Sequence, residues 1–146
     1  MEHVDMHINP LAILIAVVAA FVLGWLWYGP LFGKAWAAEM KIDMTQKPPA
    51  GVMIKGMVLM IIGTLLTAYV LASNAFAWHQ VPSMANSSPA GFGFAGGFFT
   101  WLGFFVPQQL GGVAWENKSW KLFFINVAYS FVSLQLIAMI IAFMYR

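Results

Sequence analysis

Few residues in this 146-residue chain could do chemistry, and several of them stand at its beginning. His3, Asp5 and His7 alternate, so an extended segment would place two imidazoles and a carboxylate on one face, a usable set of Zn²⁺ ligands. The segment is terminal and supplies no fourth ligand. It reads as an exposed polar lead-in, and neither a metal nor another cofactor is expected. Pro107-Gln108-Gln109 is the second concentration. Pro107 has no N–H to donate and frees the carbonyl of Gly103, which would kink a helix there. With Asn126 at similar depth, Gln108 and Gln109 would form a polar cluster. The favoured reading is interhelical hydrogen bonding that satisfies the broken helix, because buried amides find protein partners. The alternative is a vestibule for a solute or ion.

Absences decide more. The long apolar stretches contain no Asp, Glu, Lys, Arg or His in their interiors, so a proton-coupled pump would lack its proton carrier. The three histidines fall in terminal or loop positions, away from the acid or serine that intramembrane proteolysis requires. Zero cysteines remove disulfides, thiol catalysis and thiolate metal sites. Glu116 is the one interfacial base that a lipid-directed enzyme would have in the second-half loops. No catalytic residue is expected, and the protein reads as a non-enzyme.

The elements that must position these residues follow from composition. Hydrophobic residues make up 62% of the chain and charged residues 8%, against about 25% charged in a soluble domain. So few charges cannot cover a soluble surface, which excludes an extramembrane enzyme, a nucleic-acid binder and a disordered tail. The chain belongs in a bilayer, with membrane lipids as its expected partners and no nucleic acid. Four stretches are long enough to cross a hydrocarbon core, which takes about 20 helical residues. They run over about 10–28, 52–78, 91–112 and 122–145, in one domain of 1–146. The predicted fold class is therefore an all-α membrane protein, a compact bundle of four transmembrane helices. Asn9-Pro10 and Ser88-Pro89 are start signals, a capping side chain followed by proline at the first helical position. Gly29-Pro30 is expected to close the first span. That span lacks the basic lead-in of a cleaved signal, so it reads as retained.

Lys34, Lys41, Lys47 and Lys55 lie between or at the edges of spans one and two, and Lys118 and Lys121 between spans three and four. Arg146 is the one remaining cation. Six against one places both termini outside and the loops 30–51 and 113–121 in the cytoplasm. Helices in lipid associate through close backbone approach and hydrogen bonds. Ala12, Ala16, Ala20 and Gly24 form a four-residue-spaced packing face on span one. Gly93 and Gly97 repeat that spacing on span three, and Ala138 and Ala142 on span four. The segment of about 31–40 mixes aromatic anchors with Lys34 and Glu39 and is too short to span. It predicts an interfacial helix after the first span.

Two stretches look alike across the halves: Trp27-Tyr28-Gly29-Pro30 with Gly33-Lys34-Ala35-Trp36, and Phe104-Phe105-Val106-Pro107 with Gly112-Val113-Ala114-Trp115. If they are copies, the fold is a 2+2 parallel repeat. The block from Gly24 to Trp36, with Trp27, Tyr28, Gly29, Pro30, Leu31, Phe32, Gly33 and Trp36 at its core, resembles the signature of a family of small bacterial membrane proteins catalogued as domain of unknown function 1761. Lys121-Leu122-Phe123-Phe124-Ile125-Asn126 is similar to a late segment of that family. The resemblance covers nearly the whole chain, implies four spans in a bacterial inner membrane, and carries no activity. Two functional readings result. One is a non-enzymatic structural, scaffolding or lipid-interacting bundle that self-associates as a homo-oligomer. The other is an oligomeric channel or uniporter for a neutral small solute, with Gln108, Gln109 and Asn126 at its inner mouth.

Overall fold

A computed structural model describes residues 8–84 and 86–145, so the His3-Asp5-His7 pattern lies outside the described residues. Every regular element among them is helical: α1 (Pro10–Leu26), α2 (Gly33–Glu39), α3 (Ala50–His79), α4 (Pro89–Thr100), α5 (Val106–Trp115) and α6 (Trp120–Phe143). Two π-helical turns, Trp27–Leu31 and Trp101–Phe105, join α1 towards α2 and α4 to α5. Four continuous helical runs are long and apolar enough to cross a membrane: Pro10–Leu31, Ala50–His79, Pro89–Trp115 and Trp120–Phe143. The short α2 follows the first of them.

The starts have the expected local cause. Asn9 Oδ1 accepts from the N–H groups of Leu11 and Ala12 at 3.0 and 3.3 Å, and Ser88 Oγ from Gly91 at 3.2 Å. Each is followed by proline, whose missing N–H costs nothing in a first turn. Gly29-Pro30 does not close the first span. The helix instead widens, Phe32 N donating to Trp27 O at 2.8 Å, five residues back. A wider turn accommodates a ring that cannot donate and that would collide with the preceding carbonyl. The second π turn lies just ahead of Pro107, which falls in the first turn of α5, and the third span runs on to Trp115.

α6 is the centre of the bundle. It packs against α1, α2, α3, α4 and α5, and its buried residues lie along its whole length. Ala12, Ala16, Ala20 and Gly24 of α1 are all buried, Ala16 fully, at 0% exposure. Ala16, Val17 and Ala20 meet Leu134, Ile137, Ala138 and Ile141 of α6 and Ala68, Leu71, Ala72 and Ala75 of α3 in one core. Gly93 seats α4 equally close, since a Cβ there would come within 3.1 Å of Ala138 O. The halves are not equivalent in packing. The buried residues of α3 all lie in its second half, and its first half, from Val52 to Leu66, turns large apolar side chains outward.

Candidate functional site

The block from Trp27 to Trp36 folds as a corner docked onto α6. Trp27 Nε1 donates to Ile125 O at 3.2 Å, and the Tyr28 hydroxyl donates to Asn126 Oδ1 at 3.0 Å. Phe32 packs on the Trp27 indole with centroids 4.6 Å apart, and Trp36 meets the Tyr28 ring edge-on at 5.5 Å. Gly33 is required sterically, because a Cβ there would fall 2.6 Å from Tyr28 O. The two segments that carry the family resemblance, 24–36 and 121–126, are thus in direct contact.

The second π turn repeats the attachment. Trp101 Nε1 donates to Val127 O at 2.9 Å, an acceptor two residues beyond the one that Trp27 uses. The Ser130 hydroxyl also donates to Val127 O at 2.9 Å. The π turns therefore pair Trp27-Tyr28-Gly29 with Trp101-Leu102-Gly103, whereas the sequence alignment of the two halves sets Trp27 against Phe104. The signal is present in the shared Trp-x-Gly, but the prolines draw the alignment elsewhere.

α3 stands away from the third span, and two hollows occupy the seam between them, both floored by α6. The cleft nearer the N-terminal end of α6, called the inner cleft for its place in the bundle, is about 470 Å³ and is lined by Met60, Gly63, Thr64 and Thr67 of α3, Phe105 and Gln109 of the third span, Tyr28, and a face of α6 from Asn126 to Ile137. It contains Ser130, Ser133 and Tyr129 but no charged side chain. Thr64 and Thr67 donate back to the carbonyls of Met60 and Gly63. The groove nearer the C-terminal end of α6, called the outer groove, is about 650 Å³ and more apolar, between Leu71, Ala75 and Trp78 of α3 and Gly93, Ala95, Gly96 and Phe99 of α4, with Asn74, Ser87 and Ser88 also in its wall.

Of the three amides expected to cluster, Gln109 and Asn126 line the inner cleft together, while Gln108 is exposed and does not. No hydrogen bond joins the three among the described residues; the partner of Asn126 is Tyr28. Sequence reasoning passes over Gln135. Its Nε2 reaches Phe94 O at 3.4 Å, its Oε1 is buried without a partner, and it lies against Gly97, where a Cβ would come within 2.9 Å. An isolated amide in a span, nine residues beyond Asn126, is the available signal.

Both ends of α6 are tied. At its C-terminal end Asn9 Nδ2 donates to Met144 O at 3.1 Å. At its N-terminal end Ser119 caps α6 by accepting from Leu122 N, and its hydroxyl donates to Glu39 Oε2 at 2.5 Å. Lys121 Nζ stands 3.4 Å from the other Glu39 oxygen. The Ser119 hydrogen bond outweighs the opposing desolvation and, with Lys121 adding to it, holds the Glu39 carboxyl below the usual carboxylate range. Glu116 is paired with Lys118 at 2.7 Å.

This architecture defines an α-helical, multi-pass integral membrane protein. The chain belongs to the family described as Protein of unknown function (DUF1761), whose model matches residues 11–142. Comparison with curated proteins and with solved structures finds no significant match.

Because its folded-state pKa is depressed, Glu39 stabilises the α2–α6 contact above the ordinary glutamate range of about 4.3, and that contribution is lost as pH falls through the lowered value. Melting of the detergent-solubilised protein at pH 7 and in acid checks this. The Glu39→Gln variant should melt lower than the parent at pH 7, with the gap closing in acid. A gap that persists unchanged in acid contradicts it.

Proposed function

We propose that the protein is a non-enzymatic, lipid-interacting bundle that self-associates in a bacterial inner membrane. The observation that carries the reading is the seam: α3 and the third span leave a hollow along α6, and its outer part is apolar enough to take an acyl chain. The carboxylates among the described residues are Glu39, Asp43 and Glu116. All lie outside the spans and are engaged, Asp43 by Thr45 at 2.6 Å and the other two by Ser119 and lysines. None is placed to act on a substrate within the seam. Gly103 and Gly111 of the third span meet nothing where a Cβ would stand, which leaves the backbone open to close approach by a second copy. A path for a neutral solute is the second reading, favoured by the shared exposure of Gln109 and Asn126 to the inner cleft.

Native mass spectrometry from detergent reads both parts of the proposal. Gly96 lines the outer groove and has open space at its Cβ position, so Gly96→Leu fills the groove without crowding the fold. The parent should fly as an oligomer carrying phospholipid, and Gly96→Leu should lose most of that lipid at unchanged melting temperature. Equal lipid retention by the variant removes the groove as the lipid site, and a bare monomer mass removes self-association.

Both termini outside is the proposed orientation, with six of the seven Lys and Arg residues on the inner side. The Glu39 contacts with Ser119 and Lys121 support it by joining the two basic loop regions at one end. Single cysteines at Lys41 and Ser87 of this cysteine-free chain report it: an impermeant thiol reagent added to intact cells should label Ser87→Cys and spare Lys41→Cys. The opposite pattern inverts the topology.

A further inference from the structure

We propose that the inner cleft binds the uncharged, carbonyl-bearing head of a membrane amphiphile, a quinone ring or the ester head of a diacylglycerol, with its tail lying outward along the seam. The inference rests on the lipid-interacting reading and adds the chemistry of the ligand. Its first ground is the pair of amides. The Tyr28 hydroxyl occupies Asn126 Oδ1, and the Nδ2 donor of this cleft-lining amide makes no hydrogen bond among the described residues. The Gln109 amide has no hydrogen-bond partner among the described side chains and lines the same cleft. A polar group facing a hollow at this depth is costly without a partner, and an N–H donor calls for an acceptor oxygen.

The second ground is charge. No Lys, Arg, His, Asp or Glu lines the cleft. A phosphate entering it would lose its hydration with nothing to compensate its charge, so the head must be neutral. The third is shape and surface. Tyr28, Tyr129, Phe105 and Met60 offer ring faces, ring edges and a thioether, which suit a flat carbonyl-bearing group. About 470 Å³ is within the usual size of a small-molecule site, roughly 300–1,000 Å³. The fourth is continuity. Ile137 in the floor of the cleft is followed by Ala138 in the floor of the outer groove, and Thr67 on α3 is followed one turn later by Leu71. A hydrocarbon tail leaving the cleft outward therefore meets the apolar groove.

The test is a native mass spectrometry titration of the full chain in detergent with a decyl-substituted benzoquinone, with dioctanoylglycerol, and with phosphatidylglycerol as the charged control. Saturable one-to-one binding of either neutral probe is expected, and whichever binds names the source of the carbonyl. Gln109→Leu, which breaks no protein hydrogen bond, should weaken that binding by roughly fivefold, the equivalent of one neutral hydrogen bond. Gly63→Leu fills the cleft from α3, where a Cβ meets nothing, and should abolish binding at unchanged melting temperature. Binding of neither neutral probe overturns the inference, and so does phosphatidylglycerol binding that falls with Gln109→Leu. Displacement of the probes by glycerol also overturns it, in favour of a solute vestibule. Loss of lipid in Gly96→Leu is read separately, so the inference can fail while the lipid reading stands.

Discussion

The indole N–H of a tryptophan within a bilayer has no water to bond, and in this protein two of them bond to the backbone of one helix. Trp27 takes the carbonyl of Ile125 and Trp101 that of Val127. Each tryptophan opens a π-helical turn, so each attachment sits where its own helix departs from regular geometry. A regular helix carries its side chains round by a fixed angle; a widened turn resets that angle and can re-aim the next helical segment. In the first span the reset turns the chain into the corner that ends in α2. In the third it precedes α5, which carries Gln109 to the inner cleft.

With α6 held by both turns, by Asn9 at its C-terminal end and by Glu39 at its N-terminal end, the remaining geometry is constrained. α1 and α4 can approach α6 closely because Ala16, Ala20, Gly93 and Gly97 remove side-chain bulk at the contact. α3 has no comparable tie along its first half, and its large outward-facing apolar residues match a lipid environment. A seam between α3 and the third span is what remains when one helix holds the other three. Its inner end acquires polar character from α6 and Gln109, and its outer end apolar character from the small residues of α4.

Much of the fold is legible in the residues. Continuous apolar runs, capping pairs such as Asn9-Pro10 and Ser88-Pro89, and the short aromatic and charged segment after span one place all the helices. Two features are hidden for physical reasons. Gly29-Pro30 reads as a stop because proline ends ordinary helices, and sequence carries no sign that the ladder can widen to keep going. The hub role of α6 is also hidden: α3 and α6 have the same mean hydropathy of 2.0, and in lipid a buried face and an exposed face are equally apolar. Of the candidate site, Asn126 and Gln109 are found by residue type alone. Gln108 is grouped with them by adjacency, although neighbouring residues on a helix point about 100° apart and face different surroundings.

Two indole bonds hold α6 as the common support of the bundle. Unfolding of Trp27→Phe, Trp101→Phe and the double variant by titration with a denaturing detergent tests this most directly, since phenylalanine keeps an aromatic ring and removes only the donor and part of the bulk. Each single substitution should cost at least the roughly 0.6 kcal/mol typical of a membrane hydrogen bond, and the double variant should lose at least the sum. Parental stability in both single variants would contradict the account.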